Sequence, residues 1–243
     1  MSMLFRSITD IGNYRDYNDD SCYYDEKKGL MVMADGMGGY AGGRIASALA
    51  VKIFQNHYMG VSESTYQQDL TDLFAMCNQE VMETAKRVNS YSEMGTTLTV
   101  ICFQDDRYYI GHIGDSRAYL FRDGRLTRLT EDHNMVGELL RSGQISKKDA
   151  LKHPGKNMLT RVIGRTPLSK IDFAAGDTEE DDIFLLCTDG ITGYLDDKRI
   201  AATIKNSYNL EQTLNILVDK VLDRKGTDNI TAIIGKKYNR GAI

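Results

Sequence analysis

"MVMADGMGGYAGGRIASALAV", Met31 to Val51, is the stretch on which the fold turns. An apolar run, a glycine-rich turn and a helix-patterned stretch are the layout of a phosphate-cradling loop. Gly36-Met37-Gly38-Gly39-Tyr40-Ala41 even matches G-x-G-x-x-A. Asp35, at the mouth of that loop, opposes bound pyrophosphate, which needs an electropositive turn. A dinucleotide fold also needs a second strand ending in an acid roughly 20 residues on, and here a long helix precedes the next acids, Glu63 and Asp69. The nucleotide-binding oxidoreductase therefore loses to a metal-binding turn. In that reading Asp35 is a ligand, Gly36 lets the backbone carbonyl approach a cation, and Gly38 and Gly39 supply tight or positive-φ backbone before the helix.

Outward from this turn, the periodicity predicts strands over Leu4–Asp10 and on both sides of the polar turn in "SCYYDEKKGLMVMAD". Two amphipathic helices follow, the second with Leu70, Phe74, Cys77, Val81 and Ala85 on one stripe. Next come "GTTLTVICF", "RYYIGHIG" and "SRAYLFR", a meander of β signals, with a turn at Asp123-Gly124. Residues 131–167 are polar and poorly periodic, the pattern of a surface insertion of short helices. "DIFLLCTD" reads as a buried strand, Lys198–Asn206 and Leu210–Leu222 as helices, and "NITAIIGKK" as the closing strand. Strands adjacent in sequence imply mainly antiparallel sheets, so the expected fold is α+β: two packed sheets with helices covering the outsides. With no linker or repeat, a single domain over 1–243 is expected.

The chain has 243 residues and a net charge of −4, which argues against a nucleic-acid partner. Cys22, Cys77, Cys102 and Cys187 are scattered without a C-x-x-C pair and read as free thiols of a reducing compartment. There is no signal-peptide core or membrane-span run, so a cytoplasmic protein is expected.

Asp35, Asp115, Asp189 and Asp228 each sit where an apolar strand starts or ends. Buried carboxylates at such places are costly unless paired or metal-bound. Arg117 follows Asp115, but nothing basic adjoins Asp35 or Asp189. An oxygen-only donor set without clustered His or Cys favours Mg²⁺ or Mn²⁺ over Zn²⁺. Upstream, "RDYNDDS" places Arg15, suited to clamp a phosphate, beside Asp19 and Asp20.

Seven collinear stretches, "RDYNDDS", "ADGMGG", "MGTTLTV", "GHIGDSRAYL", "LTRVIG", "LLCTDGIT" and "GTDNITAII", resemble the metal-dependent protein phosphatase family, or protein phosphatase type 2C, in its compact bacterial form. The resemblance implies a four-layer α/β/β/α sandwich with a two-metal centre at one end of the sheets. It implies Asp35 bridging both ions, the Gly36 carbonyl on one, Asp189 and Asp228 on the other, and Asp20 as an acidic neighbour. Asp19 stands where the family usually has Glu, Arg15 holds the substrate phosphate, and Asp115 with Asp189 forms a weaker third site. Asn18 and Asn229 are expected to orient carboxylates from outside the ligand set.

The implied reaction is hydrolysis of phosphoserine or phosphothreonine by a hydroxide shared between two Mn²⁺ or Mg²⁺ ions, with Asp35, Asp189 and Asp228 as the catalytic set. The alternative is a catalytically weak relative that only binds phosphoproteins. Two positions depart from the pattern. Met37 and Tyr40 stand where relatives have His, leaving the general acid unassigned, and Gly193 replaces an Asp of the third site. His133 opens the family's flap, 131–167, and a substrate-side role is considered for it; His112 reads as packing. Phosphoproteins, including a cognate kinase, are the implied partners, and a monomer is expected.

Overall fold

Antiparallel strands usually alternate apolar and polar residues; these are apolar on both faces because each sheet lies between two layers. The computed structural model describes residues 2–38, 41–87, 93–150 and 153–238. One sheet takes the order β1 (Ser2–Asp10), β11 (Ile230–Tyr238), β10 (Ile183–Cys187), β7 (Arg117–Arg122) and β8 (Arg125–Arg128). The other runs β2 (Asp20–Asp25), β3 (Leu30–Met37), β5 (Leu98–Gln104), β6 (Arg107–Ile113) and β9 (Asp172–Asp177), with the short β4 (Gly95–Thr96) paired to β3. All pairings are antiparallel.

Three cores separate four layers. Leu30, Val32 and Ala34 of β3 and Leu98 and Val100 of β5 pack under α1 (Gly42–His57) and α2 (Tyr66–Arg87). The alternate residues Met31, Met33 and Ile101 face the other sheet, meeting Phe184, Leu186 and Ile233. That second sheet turns Leu185, Cys187, Ala232 and Ile234 outward onto α6 (Asp197–Asn206) and α7 (Leu210–Leu222). Each large side chain so buried contributes on the order of 1.5–3 kcal/mol of transfer free energy. The expected α/β/β/α sandwich is thus present, and all four cysteines are free.

The differences from the sequence reading are local. β8 and β9 are edge strands, "RLTR" and "DFAAGD", whose polar and small residues carry no alternating apolar signal. "GTTLTVICF" breaks at Thr97 into β4 and β5. Asp189 does not end a strand: it opens the one-turn helix α5 (Asp189–Thr192). Residues 131–167 hold α3 (Met135–Arg141), α4 (Lys147–Ala150) and a 3-10 turn over Pro154–Asn157. Among the described residues no helix is long and apolar enough to cross a membrane.

Candidate active site

Asp20 and Asp35 are register partners on β2 and β3, so two carboxylates leave one sheet face side by side. Like charges placed directly opposite are destabilising. β3 carries Asp35 to this place by backbone bonds: Thr97 N donates to Asp35 O at 2.8 Å, Asp35 N donates to Thr97 Oγ1 at 2.9 Å, and Thr96 Oγ1 donates to Asp35 O at 2.9 Å. The register against β3 runs on unchanged from β5 to β4, with Met33 opposite Thr99 and Gly36 opposite Thr96. The other sheet supplies Asp189, at the start of α5, and Asp228, two residues before β11. Thr188 Oγ1 joins the sheets by donating to Asp20 Oδ2 at 3.0 Å.

Asp35, Asp115, Asp189 and Asp228 line one cleft of about 370 Å³ together with Arg15, Asp19, Gly36 and Asn229. Burial, then the charges of Asp20, Asp189, Asp115 and Asp228, hold the Asp35 carboxyl well above its ordinary range. Burial pushes Asp20 up to about 7 against opposing hydrogen bonds from Thr231 and Thr188. Asp115 is pushed to about 8 by burial and by Asp189, and Asp189 to about 6 by burial and by Asp228. Without a counter-charge the site prefers to hold protons.

The donors fit a hard divalent cation. All are carboxylate or carbonyl oxygens, and Asp19 Oδ1 is buried with no hydrogen-bond partner, an acceptor left for a ligand or its water. The carboxylates surround the cleft without closing: among the described residues no three His, Cys, Asp or Glu side chains already form a metal cage. The fit rests on donor chemistry and on that orphan oxygen.

Arg15 is half-exposed, and its Nη2 lies 2.9 Å from Asp228 Oδ1; the expected phosphate clamp rests on an expected metal ligand. Gly36 is glycine because of packing as much as ligation. A Cβ there would stand 2.1 Å from Gly43 O, where α1 begins, and 2.6 Å from Asp19 O. Gly38 has φ +122° as anticipated; Gly39 and Tyr40 lie outside the described residues.

Several expectations are corrected. The side chains of Asn18 and Asn229 hold backbone and a hydroxyl, while the Asn229 backbone N–H holds a carboxylate, donating to Asp228 Oδ1 at 2.9 Å. Asn229 Oδ1 accepts from Asp19 N at 2.8 Å and its Nδ2 donates to Ile11 O and Tyr17 O, stapling the Arg15 loop to β11. Asn18 Oδ1 accepts from Asp20 N at 3.0 Å. Arg117 turns away from Asp115 to a two-pronged bond with Asp132, because Asp115 faces the cleft. His133 is wholly buried. Gly114 N donates to its Nδ1 at 3.1 Å and its Nε2 meets Asp172 Oδ2 at 2.9 Å, bolting the start of the 131–167 segment to the turn that carries Asp115. His112 is buried between Thr99 Oγ1 and Glu131 O.

The sequence reading missed three contributors. Asn134 Nδ2 donates to Asp115 Oδ2 at 3.3 Å, Thr188 binds Asp20, and a Cβ at Gly190 would stand 1.8 Å from Asn229 O. None has a local periodicity signal, since each acts on a residue far away in the chain.

Comparison with known proteins gives one answer over most of the chain. The family profile described as Protein phosphatase 2C matches residues 15–229. The serine/threonine phosphatase stp of Listeria welshimeri is 33% identical over 236 residues, covering 93% of this chain and 92% of its own. The crystal structure of the Mycobacterium tuberculosis serine/threonine phosphatase PstP/Ppp has a TM-score of 0.92 at 28% identity, over 98% of this chain and 100% of that one. A structure of the PstP catalytic domain in complex with two manganese ions has a TM-score of 0.88 at 27% identity, covering 98% and 99% of the two chains.

Proposed function

The chain belongs to the protein phosphatase 2C family, and from that premise we propose that it is a Mn²⁺- or Mg²⁺-dependent protein serine/threonine phosphatase. The observation that carries this reading is the meeting of Arg15 with Asp228 at the rim of a cleft that Asp35, Asp115 and Asp189 also line. A phosphate clamp at the edge of a carboxylate cluster suits metal-assisted phosphoryl transfer to water.

Asp35, the Gly36 carbonyl, Asp189 and Asp228 would hold two cations, with Asp20 and the orphan Oδ1 of Asp19 accepting from their waters. Bound there, the cations supply Lewis acidity and an activated water. Arg15 would bind the phosphoryl oxygens from the rim, where it meets Asp228. The cleft would hold the seryl or threonyl phosphate. Among the described residues lining the cleft none is histidine, and Met37 has no proton to give; the leaving alkoxide takes its proton from water.

Asp115 and Asp189 would form a third, weaker site, short of the carboxylate that Gly193 lacks. The 131–167 segment serves as a flap of one domain spanning 1–243. The protein acts as a cytoplasmic monomer on phosphoproteins that include the kinase it opposes.

The test is hydrolysis of p-nitrophenyl phosphate and of a phosphothreonine peptide. Both require Mn²⁺, both stop with chelator, and both fall by at least about a hundredfold in Asp35→Asn and Asp189→Asn. Full activity in both variants would overturn the assignment.

A further inference from the structure

Beside the metal cleft lies a second, larger depression of about 660 Å³, lined by Met37, Gly38, Met82, Glu93, Arg165 and Thr166 among others. Its size is that of a ligand site. Met37 and Gly38 line both cavities, so the two share a wall that begins two residues beyond Asp35.

Arg165 is the cation of this groove. Its Nη1 donates to Met94 O and Gly164 O, each at 2.9 Å, and its Nη2 donates to Glu93 O at 3.2 Å. Those acceptors are carbonyls, which fix the guanidinium without neutralising it. Arg15, Arg117, Arg122, Arg128 and Arg161 all lie against carboxylates. Among the described residues Arg165, like Arg44, Arg125, Arg141, Arg199 and Arg224, has no such partner; of these it alone lines the groove, and its Nε–H remains to be used. A planar, pre-positioned guanidinium with an unspent edge matches a carboxylate. Met37 and Met82 give the groove an apolar floor that adapts to a passing chain.

We propose that this groove receives the polypeptide flanking the phosphorylated residue, and that Arg165 binds an acidic side chain on it. The proposal rests on the phosphatase reading above. Asp35 to Gly38 is three residues, about 10 Å of extended chain. A substrate strand running alongside therefore brings the third residue from the phosphorylated one to the groove.

The experiment uses phosphothreonine peptides with Asp, Ala or Lys three residues to either side, against the wild type, Arg165→Gln and Arg165→Glu, with p-nitrophenyl phosphate as the flank-blind substrate. Wild-type kcat/KM is expected to be about five- to tenfold higher for Asp than for Lys on one side. Arg165→Gln, which keeps a donor for the carbonyls, brings the two near parity, and Arg165→Glu inverts them. Turnover of p-nitrophenyl phosphate stays within about twofold throughout.

Equal handling of Asp and Lys by the wild type, or a preference that survives Arg165→Glu, overturns the groove while leaving the phosphatase intact. So does a parallel fall of peptide and p-nitrophenyl phosphate rates, which would make Arg165 a backbone clamp only. A wild type inert toward both substrates with Mn²⁺ present overturns the phosphatase reading, and this proposal with it.

Discussion

Asp20 on β2 and Asp35 on β3 are directly opposed cross-strand partners, and Thr188, from the other sheet, donates to Asp20 at 3.0 Å. The ladder that builds the sheet thus forces two carboxylates together. The same ladder prevents their separation, because moving either by one residue would turn its strand's apolar residues out of two cores.

Removing one of these charges should stabilise the metal-free protein. In chelator, Asp20→Asn is expected to raise Tm by roughly 2–4 °C, about 1 kcal/mol for a chain of this size. The rise produced by Mn²⁺ should shrink in the same variant. Differential scanning calorimetry reads both, and a lower metal-free Tm would contradict the repulsion.

The cluster also gives the metal effect a pH dependence. A carboxyl whose folded-state pKa is raised stabilises the fold fully only below its unfolded value near 3.9. That contribution is lost as pH climbs through about 6 for Asp189, 7 for Asp20 and 8 for Asp115. A cation restores it, so the Mn²⁺-induced rise in Tm should be several degrees larger at pH 8 than at pH 6. Thermal shifts across that range check the sign.

His112 runs the other way. Burial, then the neighbouring His133, push its pKa down to about 3, so its neutral form is favoured in the fold. Its stabilisation is complete above the ordinary value near 6.5 and declines as pH falls from there toward 3, by at most about 1.4 kcal/mol per pH unit. Thermal melts should find the gap between wild type and His112→Gln narrowing from pH 7 to pH 4. A constant gap would show that the ring titrates as in the unfolded chain.

Asn229→Ala should unfasten the loop that carries Arg15 and Asp19. It leaves the Asp19 N–H and the carbonyls of Ile11 and Tyr17 without their partner, a loss of about 2–4 kcal/mol. Steady-state kinetics should show KM for p-nitrophenyl phosphate rising more than kcat falls. Unchanged stability and KM would mean that the loop holds itself.

Gly36→Ala should be disruptive although its backbone needs no special φ. The added Cβ would stand 2.1 Å from Gly43 O, so α1 must move off β3 at a cost of about 1–3 kcal/mol or more. Urea unfolding measures it, and a neutral result would show that α1 is free to shift.

The two-sheet architecture was readable in the chain because apolar runs such as "GLMVMAD" and "DIFLLCTD" are long enough to fill cores on both faces, and a pattern of that kind is local. The acids that end or begin such runs were readable for the same reason: a charge at the end of a buried strand is conspicuous wherever the strand lies. What a neighbour far along the chain does to a residue was not. The Asn18 and Asn229 side chains, expected to orient carboxylates, hold backbone and a hydroxyl instead, since the loop from Ile11 to Asp19 has little ladder of its own, and it is the Asn229 backbone N–H that reaches Asp228. His133, for which a substrate-side role was considered, is buried, and Arg117, two residues from Asp115, bonds Asp132 instead. Hydrophobic periodicity reports which face a residue takes, and packing of distant segments settles which group it touches. The face was written in the order of residues, and the partners only in the closing of the two sheets on each other.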